Sequence, residues 1–282
     1  MPTSRVSPTS PRSAVVTGAA RGIGRAVAAE LVLRGYQVVV TDVDVDAAER
    51  TAEAIGARAG WQLDVTDPDA NAAVALRARE LAPLGVWVCN AGVLFEGDVT
   101  AQTTGQVRAM VEVNVLGVLW GVRAAAQAFR EQAAIGVRGG QIGMLASLSA
   151  HAPVPGLAVY AATKAAVLSL TTSLHAELRK DRIGVHALCP DGVSTPMVDG
   201  MDPDGGTRAI LAAGVMYEPH EVALALVDLL GTRRVYRTMP AWRGAIARTA
   251  SVAPRFAAHA DPVMRRLGRA RLRKERRASS PS

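Results

Sequence analysis

A glycine-rich segment near the N-terminus constrains the fold more than any other feature of the chain. Its glycines are Gly18, Gly22 and Gly24, and the segment follows an apolar run at 14–16 and precedes a stretch with helical periodicity. A glycine bend between a strand and a helix lets backbone N–H groups approach a pyrophosphate, whose negative charge the helix N-terminus favours. Because a chain with 26 glycines contains such triplets by chance, the segment alone also fits a structural turn.

Further motifs follow the next apolar runs at the spacing that a dinucleotide-binding fold requires. Asp42 ends the second run, 18 residues after Gly24, near the position at which an acidic side chain binds an adenosine ribose. The later motifs are Asp64-Val65, Asn90-Ala91-Gly92, Asn114, Ser147, and Tyr160 with Lys164. In this order and spacing the chain, from about Ser13 to about Leu230, resembles the single-domain short-chain dehydrogenase/reductase family.

Apolar runs alternate with helical periodicity along the chain, a pattern typical of βαβ units and a parallel sheet. Strands are predicted near 13–17, 37–41, 59–63, 86–89, 140–146, 183–188 and 234–239, and helices near 22–34, 46–55, 68–81, 105–131, 160–180 and 218–230. Asp67 followed by Pro68 marks the start of the third helix. The predicted fold is α/β, a Rossmann-type doubly wound parallel sheet of about seven strands with helices on both faces. Its predicted parts are a disordered tail (1–12), an NAD(P)-binding catalytic domain (13–240) and a basic C-terminal extension (241–282).

Composition and charge limit the possible classes of protein. With 282 residues, 49% of them hydrophobic, the chain is predicted to form one folded catalytic domain. Residues 233–282 hold 14 of the 32 lysines and arginines, so the rest is slightly acidic and no nucleic-acid partner is expected. Without a leader pattern or an apolar run of about 18 residues, the protein is expected to be soluble and cytoplasmic. Cys89 and Cys189 are expected to be buried free thiols, and no metal is expected.

Tyr160 and Lys164 are the predicted catalytic pair. Four residues apart on a helix, they lie on one face, which brings the ammonium near the phenol. A free tyrosine has a pKa of about 10, and the neighbouring cation is expected to lower this pKa and make the phenol a general acid/base. A chance pairing on a surface helix is the alternative, but the chain has only 4 tyrosines and 3 lysines. In the family that the chain resembles, the lysine also holds the nicotinamide ribose.

Two further residues complete the expected catalytic set. Ser147 precedes the tyrosine by 13 residues, the usual offset in the family, and is expected to bind the substrate oxygen and stabilise a developing alkoxide. A loop serine that caps its own backbone is the alternative, and Ser149 is open to the same interpretation. The resemblance implies that Asn114 distorts its helix and supports a water-mediated proton path to the lysine; alone it fits a buried, helix-bonded asparagine. His151 is expected to be a solvated loop residue, with entry into the substrate pocket as the alternative.

The resemblance also implies most of the cofactor contacts. The expected residues are Arg21 and Ile23 beside the glycines, Asp64 and Val65 at the adenine, Asn90, Ala91 and Gly92 along the adenosine, and Val193 and Thr195 at the nicotinamide carboxamide. The sequence departs from the family pattern at two positions. Asp191 replaces the usual glycine after Pro190, which is expected to re-aim that loop, and Cys89 replaces an asparagine.

Asp42 and Arg21 favour different cofactors. A carboxylate at the end of the second strand accepts both ribose hydroxyls and repels a 2′-phosphate, whereas an arginine before the second glycine can bind that phosphate. Asp42 faces the 2′ position more directly, and positions 41, 43 and 44 carry no basic residue. NAD is therefore the predicted cofactor, with NADP as the alternative.

The predicted reaction is hydride transfer between NAD and an apolar secondary alcohol or its ketone. Segment 196–216, which carries three methionines, is expected to close the substrate pocket, with ordinary packing as the alternative. The alternative function is a non-catalytic dinucleotide-binding regulator that uses its arginine-rich tail on a membrane, nucleic acid or another partner. That protein would show a broken Ser-Tyr-Lys set. An epimerase or dehydratase would need further acid/base residues, which the sequence does not point to.

Two surfaces are predicted to make contacts outside the active site. Helix 160–180 carries more apolar residues than one core face needs, which predicts a homodimer or homotetramer. In the tail, Trp242, Ile246 and nearby arginines, followed by eight basic residues in 265–277, form a segment that can lie on an anionic membrane. The alternative is that Trp242 and Ile246 pack on the body of the protein itself.

Overall fold

Parallel strands form a central sheet with the predicted topology. The computed structural model describes residues 10–152, 154–202, 207, 213–252, 266–268 and 270. The strands are β1 (Ser13–Thr17), β2 (Gln37–Asp42), β3 (Ala59–Gln62), β4 (Leu84–Cys89), β5 (Gly140–Leu145), β6 (Ile183–Pro190), β7 (Gly192–Val193), β8 (Met216–Tyr217) and β9 (Tyr236–Met239). The seven-stranded sheet has the order β3-β2-β1-β4-β5-β6-β9, and β7 pairs with β8 apart from it. This order confirms the doubly wound fold.

Helices cover both faces of this sheet. They are α1 (Gly22–Leu33), α2 (Val45–Ile55), α3 (Pro68–Leu81), α4 (Thr104–Val111), a π-helical turn (Glu112–Leu116), α5 (Gly117–Ala134), α6 (Ala158–Leu178), α7 (Pro196–Asp199), α8 (Pro219–Leu229) and α9 (Ala241–Val252). Helices α1, α2 and α8 share one buried cluster with the sheet, and α3, α5 and α6 share another on the opposite face.

The continuous apolar runs of the strands follow from this layering. In β1, Val15 belongs to the cluster under α3, α5 and α6, whereas Val16 belongs to the cluster under α1, α2 and α8. Both side chains are fully buried, as expected for a parallel sheet that is covered on both faces. The helix starts are fixed locally: Asp67 accepts the N–H groups of Asp69 and Ala70 ahead of α3, as Asp67-Pro68 predicted.

The predicted helix at 105–131 is longer than expected and bears on the membrane prediction. Thr104–Ala134 is continuous through the π turn, and by its length and a mean hydropathy of 1.4 over one window it is apolar enough to span a membrane. The expectation that no such segment exists is therefore wrong, because isolated polar residues such as Glu112 and Arg123 break the apolar run without lowering the average enough. Val122 and Phe129 of this helix pack in the core beside the sheet, as in the core helix of a globular domain.

Several predictions concern parts or properties that a single chain leaves open. Residues 1–9, much of the pocket-closing segment (203–206 and 208–212) and most of the tail after 252 lie outside the described residues. On α6, Val167 and Leu178 are buried in the protein's own core, and Leu168 and Leu174 pack against it. The homo-oligomer and the cytoplasmic location stay predictions.

Close packing of α5 on the sheet gives a test of the fold. A Cβ atom on Gly121 would lie 2.8 Å from Nε1 of Trp87 and 3.3 Å from Sγ of Cys89. Alanine in a helix is normally more stable than glycine by about 1 kcal/mol, but overpacking a core typically destabilises by about 1–3 kcal/mol. We expect Gly121→Ala to lower the free energy of unfolding in urea by about 1–3 kcal/mol.

Gly105→Ala is the matched control for this substitution. Gly105 also lies in a helix, α4, but a Cβ atom at this position would have its nearest neighbour, Oγ1 of Thr103, 3.9 Å away. This variant should unfold at the same or a slightly higher urea concentration than the native chain. Equal effects of the two substitutions would contradict the close approach of α5 to β4.

Candidate active site

A deep cleft of about 1620 Å³ opens at the carboxyl edge of the sheet. Sixteen of the predicted site residues line it: Gly18, Arg21, Gly22, Ile23, Gly24, Asp42, Asp64, Val65, Asn90, Ala91, Gly92, Ser147, Tyr160, Lys164, Val193 and Thr195. Asn114 lies behind the cleft wall and is fully buried. The strands of a parallel sheet end at a common edge, so residues that are far apart in sequence meet there.

The glycine loop has the shape of an anion cradle. Gly18 and Gly22 have φ angles of +59° and +56°, a region that side chains other than glycine rarely adopt. A Cβ on Gly18 would lie 2.6 Å from Cα of Ala91, so the loop also packs against the end of β4. Among the described residues no side chain caps the N-terminus of α1, and its first turn carries no acidic residue. Its free N–H groups therefore fit the pyrophosphate of a dinucleotide.

Thr17 and Asn90 hold this loop against the sheet. The Thr17 hydroxyl accepts the N–H groups of Asn90 and Ala91, each at 3.1 Å, and the Asn90 amide donates to the carbonyls of Thr17 and Gly18 at 2.9 and 2.8 Å. Asn90 therefore positions the cradle as well as lining the cleft. Thr17 was not among the predicted site residues, although a hydroxyl residue directly before the first glycine was the available signal.

Acidic side chains lie at the ends of β2 and β3, at the end of the cleft expected to hold the adenosine. Oδ2 of Asp42 accepts the N–H of Ala20 at 3.1 Å, which fixes the carboxylate beside the glycine loop. Arg21 lines the cleft and is exposed. Asp64 is exposed and accepts both the N–H and the hydroxyl of Thr66, while Val65 is buried beneath it.

Ser147 and Tyr160 meet at the centre of the cleft. The Ser147 side chain interacts with the Tyr160 phenol and lowers its pKa, and Oγ of Ser147 also accepts the N–H of Ser149 at 3.2 Å. The hydroxyl of Ser149 is buried and has no hydrogen-bond partner among the described residues. The structure thus pairs the tyrosine with Ser147 rather than with Ser149.

Lys164 lies beside this pair and is only 5% exposed. Its ammonium is 5.5 Å from the centre of the Tyr160 ring and donates to the carbonyl of Leu145 at 2.9 Å. Burial lowers the pKa of Lys164 to about 8, and burial raises the pKa of Tyr160 to about 12, with the Ser147 hydrogen bond opposing this. The predicted lowering of the Tyr160 pKa is therefore wrong in this structure, because removal from water outweighs the opposing interactions.

Asn114 occupies the π-helical turn, a feature often found at functional sites. Its amide accepts the N–H of Val93 at 2.8 Å and donates to the Val93 carbonyl at 2.9 Å and to the Thr163 hydroxyl at 3.1 Å. The predicted helix distortion is present, and Asn114 bonds across to neighbouring segments instead of to its own helix. Thr163, one residue before Lys164, is a positioning residue that the sequence analysis missed.

Asp191 does not displace its loop from the cleft as its replacement of a glycine suggested. Val193 and Thr195 still line the cleft, and Thr195 faces the glycine loop near Gly22. The Asp191 carboxylate accepts the N–H of Val215 and forms an ion pair with Arg243, each at 2.8 Å. Arg243 belongs to the basic extension, a contact that no pattern in the sequence indicated.

The two cysteines and His151 pack inside the protein and do not line the cleft. Cys89 and Cys189 are free and buried, as predicted, and burial raises the pKa of each thiol to about 12. His151 is half-buried and packs its ring 5.7 Å from that of Tyr236, so the expectation of a solvated loop histidine is wrong. Burial and the charge of Arg248 lower the pKa of His151.

The sequence model of the family described as short chain dehydrogenase matches residues 12–205. The chain belongs to this family. It is 37% identical over 233 residues to 1-deoxy-11-beta-hydroxypentalenate dehydrogenase of Streptomyces exfoliatus, covering 80% of this chain and 82% of that protein. It is 30% identical to 3-beta-hydroxysteroid dehydrogenase of Comamonas testosteroni over 77% and 87% of the two chains.

A solved structure agrees with this assignment to the short-chain dehydrogenases. The 3-ketoacyl-(acyl-carrier-protein) reductase from Brucella melitensis, crystallised with NADH, is 28% identical and superposes with a TM-score of 0.73 over 83% of this chain and 98% of that one. The protein is therefore an oxidoreductase that acts on CH–OH groups with a nicotinamide dinucleotide. This enzyme class argues against the non-catalytic regulator.

The buried lysine predicts a pH dependence of stability. The native state releases the Lys164 proton near pH 8, whereas an unfolded lysine keeps it to about pH 10.5. Between these values the unfolded chain binds more protons, so the free energy of unfolding contributed by this residue rises with pH. We expect the stability of the native protein relative to Lys164→Met to increase from pH 8 to pH 10 in urea unfolding.

Lys180→Met is the control, because Lys180 is exposed at the end of α6. The difference in free energy of unfolding between Lys180→Met and the native protein should stay constant over the same pH range. A constant difference for Lys164→Met as well would show that Lys164 keeps an ordinary pKa.

Proposed function

We propose that this short-chain dehydrogenase catalyses the reversible oxidation of an apolar secondary alcohol to a ketone with NAD. The observation that carries the proposal is the meeting of Ser147, Tyr160 and the buried Lys164 in one cleft, with the lysine ammonium 5.5 Å from the centre of the tyrosine ring. These three groups lie in the same cleft as the uncapped N-terminus of α1. A proton-transfer group and a dinucleotide cradle are the two parts that such a reaction needs.

Ser147 and Tyr160 have different roles in the proposed reaction. Ser147 and Tyr160 hold the substrate oxygen, and a bound nicotinamide supplies the exchange of hydride at the substrate carbon. In oxidation the alcohol proton passes to the phenolate oxygen of Tyr160, and in ketone reduction the Tyr160 hydroxyl donates that proton. The hydroxyl of Ser147 stabilises the charge that develops on the substrate oxygen.

The pKa values set the form in which the pair rests. With a pKa of about 12, Tyr160 is protonated at neutral pH, which is the form that donates a proton in reduction. Oxidation needs the phenolate, and the charged Lys164 favours that form because an ammonium stabilises a nearby negative charge. Lys164 also lines the cleft, where its remaining donors suit the ribose hydroxyls of the cofactor.

The walls of the cleft support an apolar substrate. Methionine side chains adapt to irregular hydrocarbon shapes, and aliphatic and aromatic groups exclude water from the reacting carbon. The apolar lining residues of the substrate half are Leu94, Phe95, Val154, Leu157, Met197, Val198, Met201, Ala213, Trp242 and Ile246. The names of the two relatives, a hydroxypentalenate and a hydroxysteroid dehydrogenase, agree with a hydroxyl group on a hydrocarbon skeleton.

Removal of the phenol hydroxyl tests the proton-transfer role. Tyr160→Phe keeps the ring that lines the cleft but cannot exchange a proton, so turnover should fall by about 10²–10⁴-fold, the usual contribution of general acid–base catalysis. NADH binding, followed by fluorescence, should persist because the adenosine half of the site is intact.

Tyr36→Phe serves as the control, since Tyr36 is buried between β2 and α1 and does not line the cleft. It should keep native turnover. Native rates in Tyr160→Phe would remove Tyr160 from the mechanism.

Asp42 carries the proposed preference for NAD. Its carboxylate accepts the ribose hydroxyls and repels a 2′-phosphate, so the native enzyme should have a higher kcat/KM with NAD than with NADP. Asp42→Ala should reduce this ratio at least tenfold, because the repulsion disappears and Arg21 becomes free to bind the phosphate.

Asp46→Ala removes the same charge from an exposed position on α2 and should leave the ratio unchanged. A native enzyme that prefers NADP would overturn this part of the proposal.

A further inference from the structure

Helix α9 lies beyond the segment that the family model matches, yet four of its residues line the cleft: Trp242, Arg243, Ile246 and Ala247. We propose that α9 is the wall of the cleft that selects bulky polycyclic alcohols or ketones, and that the ion pair between Asp191 and Arg243 holds it there. The substrate class rests on the proposed function, whereas the placement of the helix does not.

Small residues bring α9 onto the edge of the sheet. A Cβ atom on Gly244 would lie 2.0 Å from Oγ1 and 2.4 Å from Cβ of Thr238 in β9, so the helix backbone touches that strand. One turn on, Ala247 is only 6% exposed. The N–H of Gly244 also bonds to the carbonyl of Pro240, which starts the helix directly after β9. The helix is therefore docked along one side by residues 244 and 247.

The ion pair fixes the helix from the neighbouring position, Arg243, which lies one turn before Ala247. The Asp191 side chain is 7% exposed and that of Arg243 19%, with Oδ2 of Asp191 2.8 Å from Nε of Arg243. The same oxygen accepts the N–H of Val215, at the far end of the pocket-closing segment, and the Asp191 N–H bonds to the carbonyl of Met239. One buried carboxylate, that of Asp191 in the loop after β6, thus connects this loop to Val215, which precedes β8, and to Arg243 in α9. Loss of either charge leaves the other buried without its partner.

Trp242 and Ile246 form the surface that a substrate would meet. They lie one turn apart on α9, are each 59% exposed, and line the cleft. The guanidinium carbon of Arg243 lies 5.8 Å from the centre of the Trp242 ring, within the range of a cation–π contact. The charge that anchors the helix therefore also orients its largest apolar side chain. A substrate with its reacting oxygen at Ser147 and a hydrocarbon skeleton long enough to reach α9 would contact both side chains, which line the same cleft as Ser147.

The first test measures the docking of α9 without catalysis. Hydrogen exchange of the native chain should show slow exchange in 241–252, and Arg243→Met or Asp191→Gly should raise exchange there at least tenfold. In the double variant, exchange in 241–252 should be no faster than in either single variant, because both substitutions remove the same ion pair. Arg233→Met, at an exposed turn, is the control and should change nothing in this segment.

A second variant separates a docked helix from a solvated one. Gly244→Ala favours an isolated helix, but on the docked helix the new methyl group would clash with Thr238, so exchange in 241–252 should rise. Gly105→Ala should not raise exchange in its own helix. Rapid exchange of 241–252 in the native protein, or slower exchange in Gly244→Ala, would overturn the docking.

The last test measures selection by the wall. With NAD, the ratio of kcat/KM for the tetracyclic alcohol androsterone to that for cyclohexanol should fall at least tenfold in Trp242→Ala and in Ile246→Ala. Androsterone should also change the tryptophan fluorescence of the native protein, and Trp242→Phe should abolish that change. If neither alcohol reacts but the fluorescence response is present, the proposed role of α9 in substrate binding is supported and the proposed reaction is contradicted. An unchanged ratio of the two kcat/KM values with no fluorescence response would contradict the proposed role of α9. Binding to anionic phosphatidylserine vesicles that requires Trp242 and Ile246 would contradict it as well.

Discussion

The parallel hydrogen bonding of the central sheet is the constraint on which the rest of the structure depends. Because all seven strands run in the same direction, each needs a crossover connection that places a helix on one face or the other. The two buried clusters follow from that arrangement, and so does the cleft. Every loop that leaves a strand at the carboxyl edge is brought to the same place, where the glycine loop, Asp42, Asn90 and Ser147 meet.

Removal from water dominates the electrostatics of the site. Tyr160 and Lys164 are shifted in opposite directions by the same cause, since burial favours the neutral form of each group. At neutral pH the tyrosine therefore keeps its proton firmly, while the lysine holds its own only loosely. In the proposed mechanism, the phenolate of Tyr160 therefore needs a nearby positive charge, that of Lys164, to compensate for the lost water.

Much of the fold could be predicted because its signals are local. Continuous apolar runs marked the strands, the Asp67-Pro68 pair marked the start of α3, and glycines marked the turn between β1 and α1. The cleft residues followed from the resemblance together with the rule that parallel strands end at one edge. The helix distortion at Asn114 followed from the resemblance, whereas the raised pKa of Tyr160 depends on contacts between distant segments, which a sequence pattern does not contain. The place of α9 was left open for the same reason: Trp242 and Ile246 fitted an anionic membrane as well as the body of the protein, and the contact between Asp191 and Arg243 joins segments that are distant in sequence.

The shared carboxylate of Asp191 has a consequence for how this enzyme can change over evolutionary time. Glycine at position 191 would leave the charge of Arg243 without its partner at a site that is 19% exposed, and a neutral residue at 243 would leave that of Asp191 without its partner. A substitution at either position alone should destabilise the fold, so we expect the two residues to be inherited or lost together. Under the proposed role of α9, substitutions at residues 242 and 246 would change the lining of the cleft and leave the ion pair intact.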